Sequence, residues 1–166
     1  MRKFFILMAG LLVSGGAAAQ ERVALGTFKS WDAFTIGAGA KKQCYMASVP
    51  TSKAPDNVGH GQVYATVTHK PEVKVRDEVN VVVGYPLKDG SDVRVTIGAE
   101  TLSMFTAGQE AWADSPAKDA QLVAAMKKGS EMTARGTSAR GTATTYKFSL
   151  FGFSAAYNAI SQACGR

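Results

Sequence analysis

The chain has 166 residues, is 46% hydrophobic and carries 19 Lys and Arg against 13 Asp and Glu, a formal charge of +6. That length fits one domain with an ample hydrophobic core. No Lys/Arg run exceeds two residues, as at Lys41-Lys42 and Lys127-Lys128. This excludes the clustered basic stripe of a nucleic-acid binder and leaves a mildly cationic surface, able to attract anionic envelope or host surfaces.

The first segment has the form of an export signal. Arg2 and Lys3 form a short positive stretch, Phe4 to Val13 is apolar except for Gly10, and Ala17-Ala18-Ala19 offers small residues before Gln20. This pattern predicts a signal peptide over residues 1–19, with cleavage before Gln20. The apolar run is about half the ~20 residues a membrane-spanning helix needs. No Cys sits at the cleavage point, and no later segment is long and apolar enough to span a bilayer. The mature chain, 20–166, is expected to be one periplasmic or secreted domain without a transmembrane segment.

Residues 20–30 resemble a short lead-in, and Phe28, Trp31 and Phe34 supply bulky groups near a first strand. Gly37 to Ala40 marks a turn before a strand over Cys44–Val49, which ends at Pro50. Thr51 to Gly61, with Pro55, Asp56, Asn57 and Gly59, predicts an exposed loop. Gln62 to His69 is rich in β-branched and aromatic residues and stops before Pro71. Val73, Val75 and Asp77 then alternate with Lys74, Arg76 and Glu78, and Val79 to Val83 has the composition of a strand buried on both faces. Asp89-Gly90 is a hairpin-type turn signal. Val93, Val95 and Ile97 alternate with polar residues. Leu102–Phe105 and Glu110–Trp112 are shorter strand candidates around Gly108.

Two helices are expected. Ser115 can cap the first, Pro116 takes the favoured first position, and Lys127-Lys128-Gly129 ends it. The second runs over Ser154–Ala163, where Phe153, Ala156, Tyr157, Ile160 and Cys164 fall on one apolar stripe. Between them, Glu131–Leu150 predicts two strands around the Gly136–Gly141 stretch. Many short strands with frequent turn signals predict a mainly β fold, an antiparallel β-sandwich with two short α-helices, one at the C-terminus.

Cys44 and Cys164 both survive cleavage. An even count in an oxidising compartment favours a disulfide over two free thiols, and the helix stripe puts Cys164 on the core-facing side. Closing so long a loop stabilises by about 4–5 kcal/mol in the chain-entropy account, less any native strain.

No catalytic constellation is evident. His60 lies in a Gly-rich loop and His69 ends a strand, and a closed metal site needs further ligands. No Gly-x-Ser-x-Gly elbow or phosphate-binding loop appears. Asp77 and Glu78 are adjacent, so on a strand they point to opposite faces. Trp31 and Trp112 can form a ligand platform or serve as core and rim residues. The most distinctive stretch is Arg135-Gly136-Thr137-Ser138-Ala139-Arg140-Gly141-Thr142. Arg135, Ser138, Arg140 and Gly141 make it a candidate binding turn for an anion, since Arg presents a fork of donors. The plainer alternative is a β-turn whose Arg140 pairs with a carboxylate or caps carbonyls.

The motif words Cys44-Tyr45-Met46, Gly84-Tyr85, Ala111-Trp112, Leu122-Val123 with Ala125-Met126-Lys127-Lys128-Gly129, Ser138-x-Arg140-Gly141-Thr142-x-Thr144 and Ser149-Leu150-x-Gly152-Phe153 stand in a fixed order. In that order, with a terminal Cys164, they resemble the invasion-associated locus B family of exported bacterial proteins, over about residues 28–164. The resemblance implies an exported, mainly β domain from a Gram-negative bacterium. Some members are associated with host-cell invasion, and the family brings no catalytic residues to carry over. Around Trp31 the chain departs from the family, with Asp32-Ala33-Phe34-Thr35 leading into Gly-Ala repeats.

The resulting expectation is a non-enzymatic envelope or secreted binding protein, without cofactor or metal, acting on an unknown protein or an envelope or host-surface partner. A small periplasmic hydrolase acting on envelope material is the competing reading, and an assembly or envelope-stress factor a third.

Overall fold

The computed structural model describes residues 21–165. The expected signal peptide at 1–19 lies outside the described residues.

Among the described residues there are eleven strands: β1 (Arg22–Phe28), β2 (Trp31–Ile36), β3 (Gln43–Ser48), β4 (Ser52–Ala54), β5 (Tyr64–Lys70), β6 (Val75–Val82), β7 (Asp92–Ile97), β8 (Glu100–Ala107), β9 (Glu110–Trp112), β10 (Glu131–Thr137) and β11 (Ala143–Ser149). Two helices accompany them, α1 (Pro116–Lys128) and α2 (Phe153–Ala163). The strands form one antiparallel sheet in the order β1-β2-β3-β5-β6-β9-β8-β7-β10-β11-β4. The mainly β, antiparallel expectation with a C-terminal helix holds. The two layers come from a single sheet that rolls up. β3 and β4 are separated in sequence only by Val49, Pro50 and Thr51, yet they lie eight steps apart in the strand order. Eight steps in a flat sheet span ~38 Å, whereas so short a link reaches only ~14 Å. The sheet must therefore curl until its far edge meets β3.

Alternation supplies the core. Trp31, Ala33, Cys44, Met46, Ala65, Val67, Val93, Val95, Met104, Met132, Ala134, Tyr146 and Phe148 all point inward and pack in one cluster. At the end of β6 and just past it, the run Val79–Val83 is buried throughout, as its composition predicted. Where β9 ends beside β6, α1 takes over the pairing: Asp119 Oδ1 accepts the Val79 backbone N–H at 2.8 Å. Helix α1 itself begins as expected, with the Ser115 hydroxyl accepting from the Lys118 amide and Pro116 in first place.

Helix α2 lays Phe153, Ala156, Tyr157 and Ile160 into the core. Trp31 packs edge-on against Phe153 at 5.1 Å and donates its indole N–H to Ser149 O at 3.0 Å. The disulfide Cys44–Cys164 joins the end of α2 to β3, with Cα atoms 5.9 Å apart and 120 residues of sequence between them.

Four local expectations need correction. Residues 20–30 are not a lead-in: Arg22–Phe28 is edge strand β1, exposed along most of its length. With Val23 half exposed, no buried period marked it. Val73 does not share a face with Val75. Pro71–Val73 is a 3-10 turn, and Lys74 and Asp77 take left-handed backbone angles that break the alternation. The Thr51–Gly61 loop contains β4, whose pairing with β11 is made by the rolled sheet rather than by its own composition. The Lys88–Ser91 turn forms, with Ser91 N–H donating to Lys88 O, but it joins no paired strands, because β6 pairs with β5 and β9.

Candidate functional site

The β10–β11 hairpin carries the distinctive Arg/Ser/Gly/Thr stretch, and its turn is fixed from within. Ser138 N–H donates to Thr142 O at 2.9 Å, Gly141 N–H to Ser138 O at 2.8 Å, and Thr142 N–H to the Ser138 hydroxyl at 3.1 Å. Ala139 N–H reaches Pro86 O at 2.9 Å, and Leu87 forms a β-bridge with Ser138. Gly141 has φ +86, a conformation a side chain disfavours. Ser138 and Gly141 therefore shape the turn. Its amides at 138, 139, 141 and 142 are already used, so the backbone offers no open nest for an anion. Arg140 is exposed and makes neither an ion pair nor a hydrogen bond with the described residues.

Beside this turn is a cleft of about 380 Å³ lined by Val58, Gly59, Tyr85, Pro86, Ser138, Ala139, Arg140, Thr142 and Thr144. Its far wall, the 55–61 loop, is pinned by His60. The ring Nε2 donates to Pro55 O at 2.8 Å, and Nδ1 meets the Tyr146 hydroxyl at 2.9 Å. From there a chain of hydroxyls continues along the floor: Tyr146 to Tyr85 at 3.1 Å, Tyr85 to Thr144 at 2.5 Å, and Thr144 to Gly136 O at 3.3 Å. Burial, reinforced by Tyr85, holds the Tyr146 hydroxyl well above its ordinary value, so it stays protonated at any physiological pH. The floor is thus a closed polar network, with Arg140 as the charge among the lining residues.

The structure separates the residues of the candidate turn. Ser138 and Arg140 line the cleft, and Gly141, directly after Arg140, takes the left-handed angle that the turn needs. Arg135 lies along β10, exposed, directly across from Arg94 on β7. Val58, Tyr85, Pro86 and Thr144 were not singled out by residue chemistry, because no local pattern brings the 58–60 loop and the 85–86 segment together. Trp31 is fully buried core, and Trp112 is half-buried on β9.

His69 meets a serine and a carboxylate that sequence spacing did not connect to it. Its Nε2 lies 3.2 Å from Ser161 Oγ, and its Nδ1 accepts the Asp77 backbone N–H at 3.2 Å. Asp77 Oδ1, 3.8 Å from the same nitrogen, instead accepts the Tyr157 hydroxyl at 2.7 Å. The hydrogen-bond network therefore assigns Nδ1 as acceptor and puts the ring proton on Nε2, donating to Ser161. A serine nucleophile needs the reverse, with Nε2 free to accept the hydroxyl proton. His69 and Ser161 are also 3% and 4% exposed, which leaves a substrate no approach. Among the described residues, no group of three or more His, Cys, Asp or Glu gathers to hold a metal ion, and no helix is long and apolar enough to cross a membrane.

These features define a disulfide-closed domain built on one rolled antiparallel sheet, with a preformed cleft at a hairpin turn. The family model described as invasion associated locus B (IalB) protein matches residues 31–161, and the chain belongs to this family. No curated protein and no solved structure matches the chain significantly.

Proposed function

We propose that this family member is an exported, non-enzymatic binding protein of the bacterial envelope, or one released from it. Its recognition site is the cleft beside the 138–142 turn. The observation that carries this reading is the state of the cleft floor. The linked groups His60, Tyr146, Tyr85 and Thr144 are already engaged with one another, leaving shape, the Tyr85 and Pro86 surfaces, the Thr142 hydroxyl and the Arg140 cation to meet a partner. Such a preformed, largely apolar surface with one placed charge suits recognition more than bond-making. The partner is a protein or a component of the envelope or host surface. The buried His69–Ser161 pair gives a hydrolase reading no reactive group.

A photo-crosslinking residue placed at position 140 of the tagged, exported protein tests this in intact cells. A consistent adduct is expected from position 140, and none from the same probe at exposed Lys74. Equal labelling at both positions, or none at 140, would count against the cleft. Fractionation of the same cells tests the export itself: recovery of the uncleaved chain in the cytoplasm would overturn it.

A further inference from the structure

Arg94 and Arg135 are directly opposed on neighbouring strands β7 and β10. Their flanking residues Val93, Val95 and Ala134 are buried, so both guanidinium groups leave the outer face of the sheet, away from the core. Like charges in directly opposed positions repel. Here neither arginine makes an ion pair with a described residue. The pairs Lys70–Glu78, Lys118–Asp114 and Lys147–Glu131 involve neither arginine, and Asp92, two residues along β7 from Arg94 on the same face, pairs with neither. The ladder extends the same row with hydroxyls: Ser103 lies across from Arg94, and Thr145 across from Arg135. Phe105, two residues from Ser103 on the same face of β8, is 46% exposed.

An unpaired dication flanked by hydroxyls and an exposed aromatic ring matches one kind of partner. The arginine forks suit carboxylate, sulfate or phosphate ester groups. The hydroxyl row suits sugar hydroxyls, and the ring suits the C–H face of a pyranose. We propose that this outer face of β8, β7, β10 and β11 binds an acidic polysaccharide. A nucleic acid would call for a longer basic stripe, and an anionic bilayer for more than one exposed apolar group. This face lies apart from the cleft, and the proposal stands whether or not the cleft binds anything.

The test is retention of the disulfide-intact protein on immobilised heparin, with neutral dextran as the blank and phosphatidylglycerol vesicles as the competing surface. The wild type is expected to bind heparin at physiological ionic strength, to ignore dextran, and to release as salt screens the contact. An R94T/R135T variant should bind about tenfold more weakly or worse, since charge-assisted hydrogen bonds are lost. An R76T/K88T variant, which removes the same charge elsewhere, should keep its affinity within about twofold. Phe105→Ala should weaken binding without changing its salt dependence. All these positions are exposed, and thermal melts check that each variant folds. Absence of heparin binding, equal loss in the charge-matched variant, or tighter binding to vesicles than to heparin would each overturn the proposal.

Discussion

Ser138 accepts the Thr142 amide through its hydroxyl and donates its own amide to Thr142 O, so one residue closes the β10–β11 turn from both sides. Replacing it with alanine leaves the half-buried Thr142 amide without its hydroxyl partner. Ser138→Ala should cost about 1 kcal/mol in stability, the net worth of a hydrogen bond of this kind. Urea denaturation reads this directly, and an unchanged midpoint would show that the hydroxyl does not shape the turn. Arg140, by contrast, makes no ion pair or hydrogen bond with the described residues, so its removal should change stability by less than about 0.5 kcal/mol and act mainly on binding. The motif itself was visible in the sequence. The division of labour within it was not, because which amides a turn consumes depends on where Pro86 and Thr142 come to lie.

Helix α1 binds to β6 through a carboxyl group that burial disfavours in its charged form. Burial pushes the Asp119 carboxyl from its ordinary 3.8 up to about 6; the Val79 amide pulls the other way, and Glu78 and Asp77 add to the rise. The folded state therefore holds a proton that the unfolded state releases between about pH 4 and pH 6. The associated stability is fully present below the lower value and is lost as pH rises through the upper one. Asp119→Asn keeps an acceptor for Val79 without the charge. It should flatten the pH dependence of stability in that window by about 1–2 kcal/mol. Parallel urea titrations of variant and wild type at both ends of the window check this, and identical slopes would refute it. At the start of α2, Gly152 has φ +87, and a Cβ there would collide with the Phe28 carbonyl. Gly152→Ala should cost about 2 kcal/mol or more, combining left-handed strain with the clash. A loss below about 0.5 kcal/mol, within the range of an ordinary surface change, would mean the helix and the β1–β2 turn shift apart without penalty.

On the scale of the molecule, the disulfide ties the last helix to the third strand across 120 residues of sequence. Reduction, or replacement of both cysteines by alanine, should lower stability by about 2–5 kcal/mol. That is a large share of the roughly 5–15 kcal/mol a domain of this kind holds. Mass spectrometry without reductant should show the Cys44–Cys164 linkage, and a reduced protein with the same melting temperature would deny the bond its stabilising role. The rolled sheet explains why the clasp works: β2, β3 and α2 share the Trp31–Phe153 region of one core, so fixing the end of α2 fixes that side of the roll.

The sequence by itself determined the elements whose physics is local. The period-two valines of β7, the Ser115-Pro116 start and Lys127-Lys128-Gly129 end of α1, the apolar stripe of α2 and the pairing of two cysteines all depend on near neighbours or on simple counting. Tertiary structure decided what depends on distant partners. Edge strand β1 lacks a buried face, so no periodicity announced it, and β4 exists because curling brings β11 beside it. The same curling gathers the 58–60 loop, Tyr85 and the 138–142 turn into one cleft. It buries Ser161 against His69 with the proton on the wrong nitrogen for catalysis. Strand register, which no local signal carries, set Arg94 against Arg135 on the outer face.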